Sequence, residues 1–154
     1  MDAPLRGLAP KIYHLHPLVA GPLAQWPAHF ARIADLGFNW ACLAPPFAPG
    51  ETGDIFLTGN WEQLHPALAW QDGAEAGIRF LVDAAAEHGV RLMLDVQVDR
   101  VARDAAIRQQ HPDWFSDGLA DARPDPRQPP RRFDAGYARL DRTDVADALA
   151  GWWS

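Results

Sequence analysis

The sequence predicts an α/β fold with parallel strands, and three observations lead to that prediction. Strand patterns and helix patterns alternate along the 154 residues, the turns that leave the helices are short, and the segments that leave the strands are long. Short apolar runs indicate buried strands, and apolar residues at helical spacing indicate helices that pack on them. Because parallel strands need crossover connections, we expect all strand C-termini to lie at one edge of the sheet.

The first β-α unit is predicted at the N-terminal end of the chain. A strand over 11–16 is closed by Pro17, and the helix that follows is expected to stop at Gly37. Apolar residues recur at helical spacing between these points. They are Leu23, Trp26, Phe30 and Ile33.

The second strand is predicted over 39–43, where an apolar run ends before two prolines. A long segment rich in Gly and Pro follows, and helical spacing resumes after Asp72. This second helix is expected to end at Gly89. Its predicted apolar face consists of Ile78, Leu81, Val82 and Ala85.

The third strand is predicted over 91–98, directly after Gly89. A short helix is expected within 102–115, and an irregular segment over 116–136 follows it. A last helix is predicted to start at Thr143 or Asp144, either of which can cap it. The chain thus contains three β-α units.

The segments after strands two and three, 45–72 and 99–142, indicate a functional site. Both exceed the roughly two to six residues of a usual connection in an α/β unit. Ligands bind at the C-terminal edge of the strands in (β/α)8 barrels and in open doubly wound sheets alike. The pattern therefore predicts a site at this edge and leaves both architectures open.

Composition excludes several function classes. The net charge is -6, from 14 Lys and Arg against 20 Asp and Glu, which argues against nucleic-acid binding. No window approaches the roughly 18 continuous apolar residues of a membrane span, and no secretory signal is visible, so we expect no membrane association and a cytoplasmic location. The lone Cys42 is expected to be buried. We assign no cofactor and no metal.

An ordered set of motifs extends over almost the whole chain, 12–153. The motifs are KIYHLHPL, LGFNWACLAPPF, LHPAL, HGVRLMLDVQVDR, QHPDWF, PPRRFD and ARLD. The set resembles the N-terminal part of the catalytic barrel of glycoside hydrolase family 13, the alpha-amylase family. Within it, the chain is most similar to the maltose 1-phosphate-dependent alpha-1,4-glucan maltosyltransferases. The resemblance implies a partial (β/α)8 TIM barrel: one domain over 1–154, with about the first three β/α units, truncated before strand four.

The resemblance also assigns substrate-binding residues. Asp95 takes the place of an Asp at the end of strand three that supports the sugar subsite, and Arg100 takes the place of a His that donates to the sugar. Asn60 is a candidate amide donor after strand two, and Arg131 replaces a Lys near a donor phosphate. The structural alternatives are that Asp95 caps backbone groups, that Asp99 and Arg100 form a solvated ion pair, and that Arg131 is an exposed loop residue.

The resemblance assigns no catalytic residue to this chain. Retaining glycosidases use two carboxyl groups about 5 to 5.5 Å apart, and in the family these follow strands four and five. The first hypothesis is therefore a glycoside hydrolase or maltosyl transferase of which this chain, inactive alone, is a fragment. The alternative is a non-catalytic amylase-like module for glucan binding or assembly. The expected partners are alpha-glucan or maltooligosaccharide, with a sugar phosphate as a further candidate, and the remainder of the barrel.

A third, weaker interpretation is an unrelated doubly wound domain. Such a domain is expected to carry a Gly-rich phosphate loop after its first strand, and the segment HPLVAGPLAQW lacks one.

Overall fold

A computed structural model of the protein describes residues 9–117 and 134–153, which fold into two compact units. The first unit takes the residues up to 48 and 61–96, and the second takes 49–60 and the residues from 97 onward. The helices are α1 (Pro17–Ala20), α2 (Trp26–Asp35), α3 (Gly73–Glu87), α4 (Ala106–Gln110) and α5 (Thr143–Trp153). The strands are β1 (Ile12–Leu15), β2 (Trp40–Leu43), β3 (Phe47–Pro49), β4 (Thr58–Leu64), β5 (Arg91–Leu94), β6 (Arg100–Ala102), β7 (Phe115–Asp117) and β8 (Ala135–Ala138).

The first unit contains a parallel sheet of three strands in the order β1-β2-β5. Leu15 lies beside Leu43, and Leu43 lies beside Leu94. The prediction of three parallel strands, adjacent in chain order, is confirmed. A 3-10 turn at Leu23–Gln25 precedes α2, and another at Pro66–Leu68 precedes α3.

The third parallel strand is shorter than predicted, because β5 ends at Leu94 and not at residue 98. The Asp95 amide still donates to the Leu43 carbonyl at 2.8 Å. Beyond that point the neighbouring chain runs into Pro45 and Pro46, which have no N–H group to extend a ladder. The alternating apolar pattern therefore predicted a strand that extends four residues too far, to residue 98 instead of Leu94.

The core of the first unit lies between one face of this sheet and helices α2 and α3. The four apolar residues predicted for the first helix are almost fully buried, with at most 1% exposure. Both glycine stops are confirmed, since Gly37 and Gly89 have φ values of 82° and 69° just after the helices end. A Cβ atom disfavours that left-handed conformation, so glycine ends each helix cleanly.

The buried face of α3 differs in part from the prediction. Leu81 and Ala85 are buried and Ile78 packs against the core, whereas Val82 is 48% exposed. The helix turns Val82 about 100° away from Leu81. Small residues complete the face instead, namely Ala74, Gly77 and Ala84.

The opposite face of the parallel sheet carries apolar side chains that remain accessible. Ile12 is 47% exposed and Met93 is 39% exposed. Cys42, predicted to be buried, is half-buried. Among the described residues, β1 and β5 each pair with β2 alone, so each has an unpaired edge.

The second unit contains short strands that the sequence did not reveal. Strands β6, β8 and β7 form an antiparallel sheet in that order. The segment 116–136, predicted to be irregular, contributes Ser116 and Asp117 to β7 and its last two residues to β8. Strands of three or four residues are too short for a period to be recognised. The predicted helix within 102–115 is reduced to α4, followed by a 3-10 turn at Pro112–Trp114.

The segment after the second parallel strand, predicted to be a loop, also contains structure. Strands β3 and β4 pair within it. β4, the longest strand among the described residues, was not predicted because its sequence TGNWEQL is polar and lacks a continuous apolar run.

Two His-Pro pairs start helical turns in the same way. The Nδ1 atom of His16 accepts from the Leu18 amide at 3.3 Å, and that of His65 accepts from the Ala67 amide at 3.0 Å. A side chain that accepts from such an amide satisfies one of the open donors at a helix start. Both histidines are therefore structural caps.

We expect the free energy of unfolding to fall as the pH is lowered below about 6.5, partly because of His65. Burial lowers the pKa of His65 in the folded protein, so the unfolded chain takes up its proton first. The stability from the neutral ring is thus complete above the unfolded pKa and is lost as the pH falls towards the folded pKa. Protonated Nδ1 also ceases to accept from Ala67.

The His65→Asn variant should keep a cap, cost no more than about 1 kcal/mol at neutral pH and flatten the pH dependence. Urea titrations between about pH 5 and 8 measure this difference. His88→Asn, at an exposed histidine, is the matched control. Identical pH profiles for the His65 variant and the parent protein would refute the assignment.

Candidate functional site

Asp95 lies at the C-terminal edge of the parallel sheet, directly after β5. Its backbone is fixed by the 2.8 Å hydrogen bond to Leu43, and the neighbouring Ala44 amide donates to the Leu15 carbonyl at 3.1 Å. The ends of all three strands are thus held in register. A half-buried carboxylate in this position can accept hydrogen bonds from hydroxyl groups.

The Cys42 thiol interacts electrostatically with the carboxylate of Asp95. Burial raises the pKa of the Cys42 thiol, and the negative charge of Asp95 raises it further. The thiolate is the reactive form of cysteine, and a raised pKa keeps the thiol protonated. The edge therefore offers a carboxylate acceptor beside an unreactive thiol.

Arg100, in the second unit, is held by Asp99 and Tyr137. Its Nε donates to Asp99 Oδ1 at 3.0 Å, and its Nη2 lies 3.0 Å from Asp99 Oδ2. The guanidinium carbon lies 5.9 Å from the centroid of the Tyr137 ring. A guanidinium has five N–H donors, of which Asp99 engages two. The others can donate to a hydroxyl or phosphate oxygen.

The remaining predicted positions are distributed as follows. Asn60 lies in β4 and belongs to the second unit, as do Asp99 and Arg100, whereas Asp95 belongs to the first. Arg131 lies outside the described residues. Of the aromatic residues in the segment after β2, Phe56 is 40% exposed, and Trp61 packs in part against the core of the first unit.

The sequence did not predict Asp104 or Tyr137 as site residues. Asp104 Oδ2 accepts from the Glu51 amide at 3.1 Å, across 53 residues of sequence. It also borders a hollow of about 210 Å³ with Glu51, Thr52, Arg103 and Asp134. No local pattern signals a contact over this separation. Tyr137 lies between two of the quoted motifs, PPRRFD and ARLD, and nothing in them indicates its pairing with Arg100 across β6 and β8.

Two further classes of feature, a metal-ligand cluster and a membrane-spanning helix, are absent from residues 9–117 and 134–153. No group of three or more His, Cys, Asp or Glu side chains within them is arranged to hold a metal ion. None of their helices has the length and hydropathy needed to cross a membrane.

The sequence is similar to that of a known glucan-active protein. It is 32% identical over 146 residues to the alpha-1,4-glucan:maltose-1-phosphate maltosyltransferase of Burkholderia pseudomallei (strain K96243). The match covers 94% of this chain and 13% of that protein. No family model matches the chain.

Solved structures of alpha-amylases share the fold. An alpha-amylase from Lactobacillus plantarum superposes with a TM-score of 0.71 at 22% identity, over 92% of this chain and 34% of its own. An alpha-amylase from Geobacillus thermoleovorans, complexed with acarbose, gives a TM-score of 0.69 at 18% identity, over 94% and 37%. The chain thus spans about a third of these structures.

Proposed function

We propose that the chain is part of an alpha-amylase-family barrel and that it belongs to a carbohydrate-active protein that acts on alpha-1,4-glucan. The observation that carries the proposal is the 32% identity to a maltosyltransferase over 94% of the chain. In this proposal β1, β2 and β5 are strands one to three of a (β/α)8 barrel. The parallel order β1-β2-β5 and the edges of β1 and β5, which are unpaired among the described residues, support that assignment.

The proposed role of the chain is to contact the sugar. Asp95 stands at the C-terminal strand edge, where barrel enzymes place their sites. Its carboxylate would accept hydrogen bonds from sugar hydroxyls. Within the second unit, Asn60 and the remaining N–H donors of Arg100 are separate proposed contacts for sugar oxygens. Arg131 is the proposed contact for a sugar phosphate, because a guanidinium can hold phosphate bidentately.

The chemistry is proposed to come from carboxyl groups outside this chain. Both hydrolysis and maltosyl transfer by a retaining mechanism need a nucleophile and a general acid/base. The remainder of the barrel is the proposed partner that supplies them and covers the exposed sheet face at Ile12 and Met93. A single barrel domain over 1–154 and a cytoplasmic location stay predictions.

A non-catalytic amylase-like module is the second candidate function. The observation that favours it is the ion pair with Asp99 that is made by Arg100, the residue that stands where the resemblance implies a His. An Arg held by a neighbouring carboxylate does not reproduce the hydrogen-bond geometry of imidazole. Such a protein would bind glucan without transforming it.

We expect the purified chain 1–154 to show no turnover, because neither member of the carboxylate pair is assigned to it. It should release no reducing sugar from maltooligosaccharides and no phosphate from maltose 1-phosphate. The complete protein, assayed in parallel, separates the two functions: turnover there supports an enzyme, and glucan binding without turnover supports a module. Activity of 1–154 that survives repeated purification would refute the assignment of the pair to the rest of the protein.

A further inference from the structure

A cavity of about 430 Å³ lies in the first unit, between the end of β4 and the start of α3. Its lining includes the Trp70 indole, the apolar residues Leu64 and Pro66, and the polar residues Glu62, Gln63 and Gln71. We call it the Trp70 pocket. Its volume falls within the roughly 300 to 1,000 Å³ of small-molecule sites.

The indole of Trp70 is held rigidly in this pocket. Its Nε1–H donates to the Gly73 carbonyl at 3.1 Å, and its ring stacks on Phe80 with centroids 5.3 Å apart. Because the N–H is already engaged, a ligand in the pocket would contact the half-buried Trp70 side chain through ring carbon atoms. A fixed aromatic platform costs little conformational entropy when a ligand packs on it.

The backbone beside this platform is strained. Ala69 has a φ of 50°, and it is the one residue other than glycine with positive φ among those that the structure describes. An alanine in the left-handed region costs free energy that the surrounding structure must offset, and such residues cluster at ligand sites. Ala69 itself lines the pocket.

The polar side chains around the Trp70 ring limit the chemical class of ligand that fits the pocket. Glu62, Gln63 and Gln71 are exposed and offer a carboxylate acceptor together with amide donors and acceptors. None of the described residues that line the pocket is basic, so nothing there would neutralise a phosphate. The chemistry fits a neutral, hydroxyl-rich molecule with an apolar face. A pyranose ring has both properties, because its C–H face packs on aromatic rings and its hydroxyls hydrogen-bond to carboxylates and amides.

We propose that the Trp70 pocket is a sugar-binding site additional to the one at Asp95, and that it takes a short neutral alpha-glucan. The choice of an alpha-glucan, among pyranose sugars, rests on the proposed function. Such a site would hold a glucan chain on the protein without contributing to bond cleavage.

The test is a titration of the isotope-labelled 154-residue chain with maltotriose, followed by nuclear magnetic resonance. The indole Nε1–H signal of Trp70 and the amides of 62–73 should shift together and saturate with one dissociation constant. The Glu62→Ala/Gln71→Ala double variant should weaken that constant about tenfold, as expected when hydrogen bonds to a charged acceptor are lost. Both residues are exposed, so the fold should persist.

Two further variants complete the design. Glu75→Ala is the matched control, since Glu75 is an exposed residue of α3 that pairs with Arg79 and does not line the pocket. It should bind maltotriose like the parent chain. Trp70→Phe keeps a ring on Phe80 and should retain part of the affinity, whereas Trp70→Ala should lose it.

The proposal is overturned if maltotriose leaves the Trp70 signals unmoved, or if the double variant binds as tightly as the Glu75→Ala control. Either result would leave the proposed function standing, because that function is tested at Asp95 and by turnover of the complete protein. Conversely, an Asp95 variant without effect on glucan binding would leave the Trp70 shifts in place.

Discussion

Trp26→Ala is expected to lower the free energy of unfolding by about 3 to 5 kcal/mol, the usual cost of truncating a buried aromatic residue. Trp26 has 0% exposure and packs edge-on against Phe30, with ring centroids 6.3 Å apart. Its Nε1–H donates to the Gly21 carbonyl at 3.0 Å, so the substitution also removes a hydrogen bond. The loss is a large fraction of the stability of an ordinary domain.

Urea denaturation followed by circular dichroism measures this change. Val19→Ala is the control, because Val19 is 84% exposed and its truncation should alter stability by no more than about 0.5 kcal/mol. Trp26→Phe should fall between the two, since it retains the ring but not the N–H donor. A loss below about 1 kcal/mol for Trp26→Ala would show that the site collapses around the smaller side chain.

Asp95→Ala in the complete protein is expected to weaken glucan binding about ten- to a hundredfold. One charge-assisted hydrogen bond is worth roughly 1.5 to 3 kcal/mol, which corresponds to that range. The backbone of Asp95 is anchored to Leu43 through its own amide, a bond that the substitution leaves intact. The parallel sheet should therefore survive, and the effect should appear in affinity.

Calorimetric titration with maltooligosaccharide, beside a thermal melt, separates binding from folding. Asp95→Asn keeps the size of the side chain and one acceptor oxygen but removes the charge, so it should lose less affinity than Asp95→Ala. If Asp95 only caps backbone groups, its removal should cost about 0.5 to 2 kcal/mol of stability and leave the dissociation constant unchanged. That outcome would remove Asp95 from the proposed sugar site.

The fold of the first unit could be predicted from the sequence because its signals are local. Trp26, Phe30 and Ile33 repeat at helical spacing, and all three are buried. Glycines at 37 and 89 mark the helix ends. The C-terminal end of β5 could not be predicted. It depends on the pairing of β5 with β2, because the prolines that follow β2 cannot extend the ladder.

The candidate site could be predicted only in part. The apolar pattern placed Asp95 inside a strand predicted to reach residue 98, whereas the resemblance supplied both its position at the strand end and its proposed role. The contact of Asp104 with Glu51, the ring of Tyr137 under Arg100 and the Trp70 pocket arise from tertiary packing. Residues brought together in this way carry no spacing that a single sequence displays.

β2 lies in the centre of the parallel sheet, so one connection joins it to β1 and another joins it to β5. The connection from β1 to β2 has 24 residues (16–39), and the connection from β2 to β5 has 47 (44–90). For a flexible chain the entropy of closing a loop grows only with the logarithm of its length, so a connection of twice the length costs about 0.6 kcal/mol more. Doubling the chain between two paired strands is therefore almost neutral for stability. A sheet of this order can gain or lose exposed residues after its strands over evolutionary time, provided that the core residues carried by the connections, such as Leu64 and Leu81, are kept.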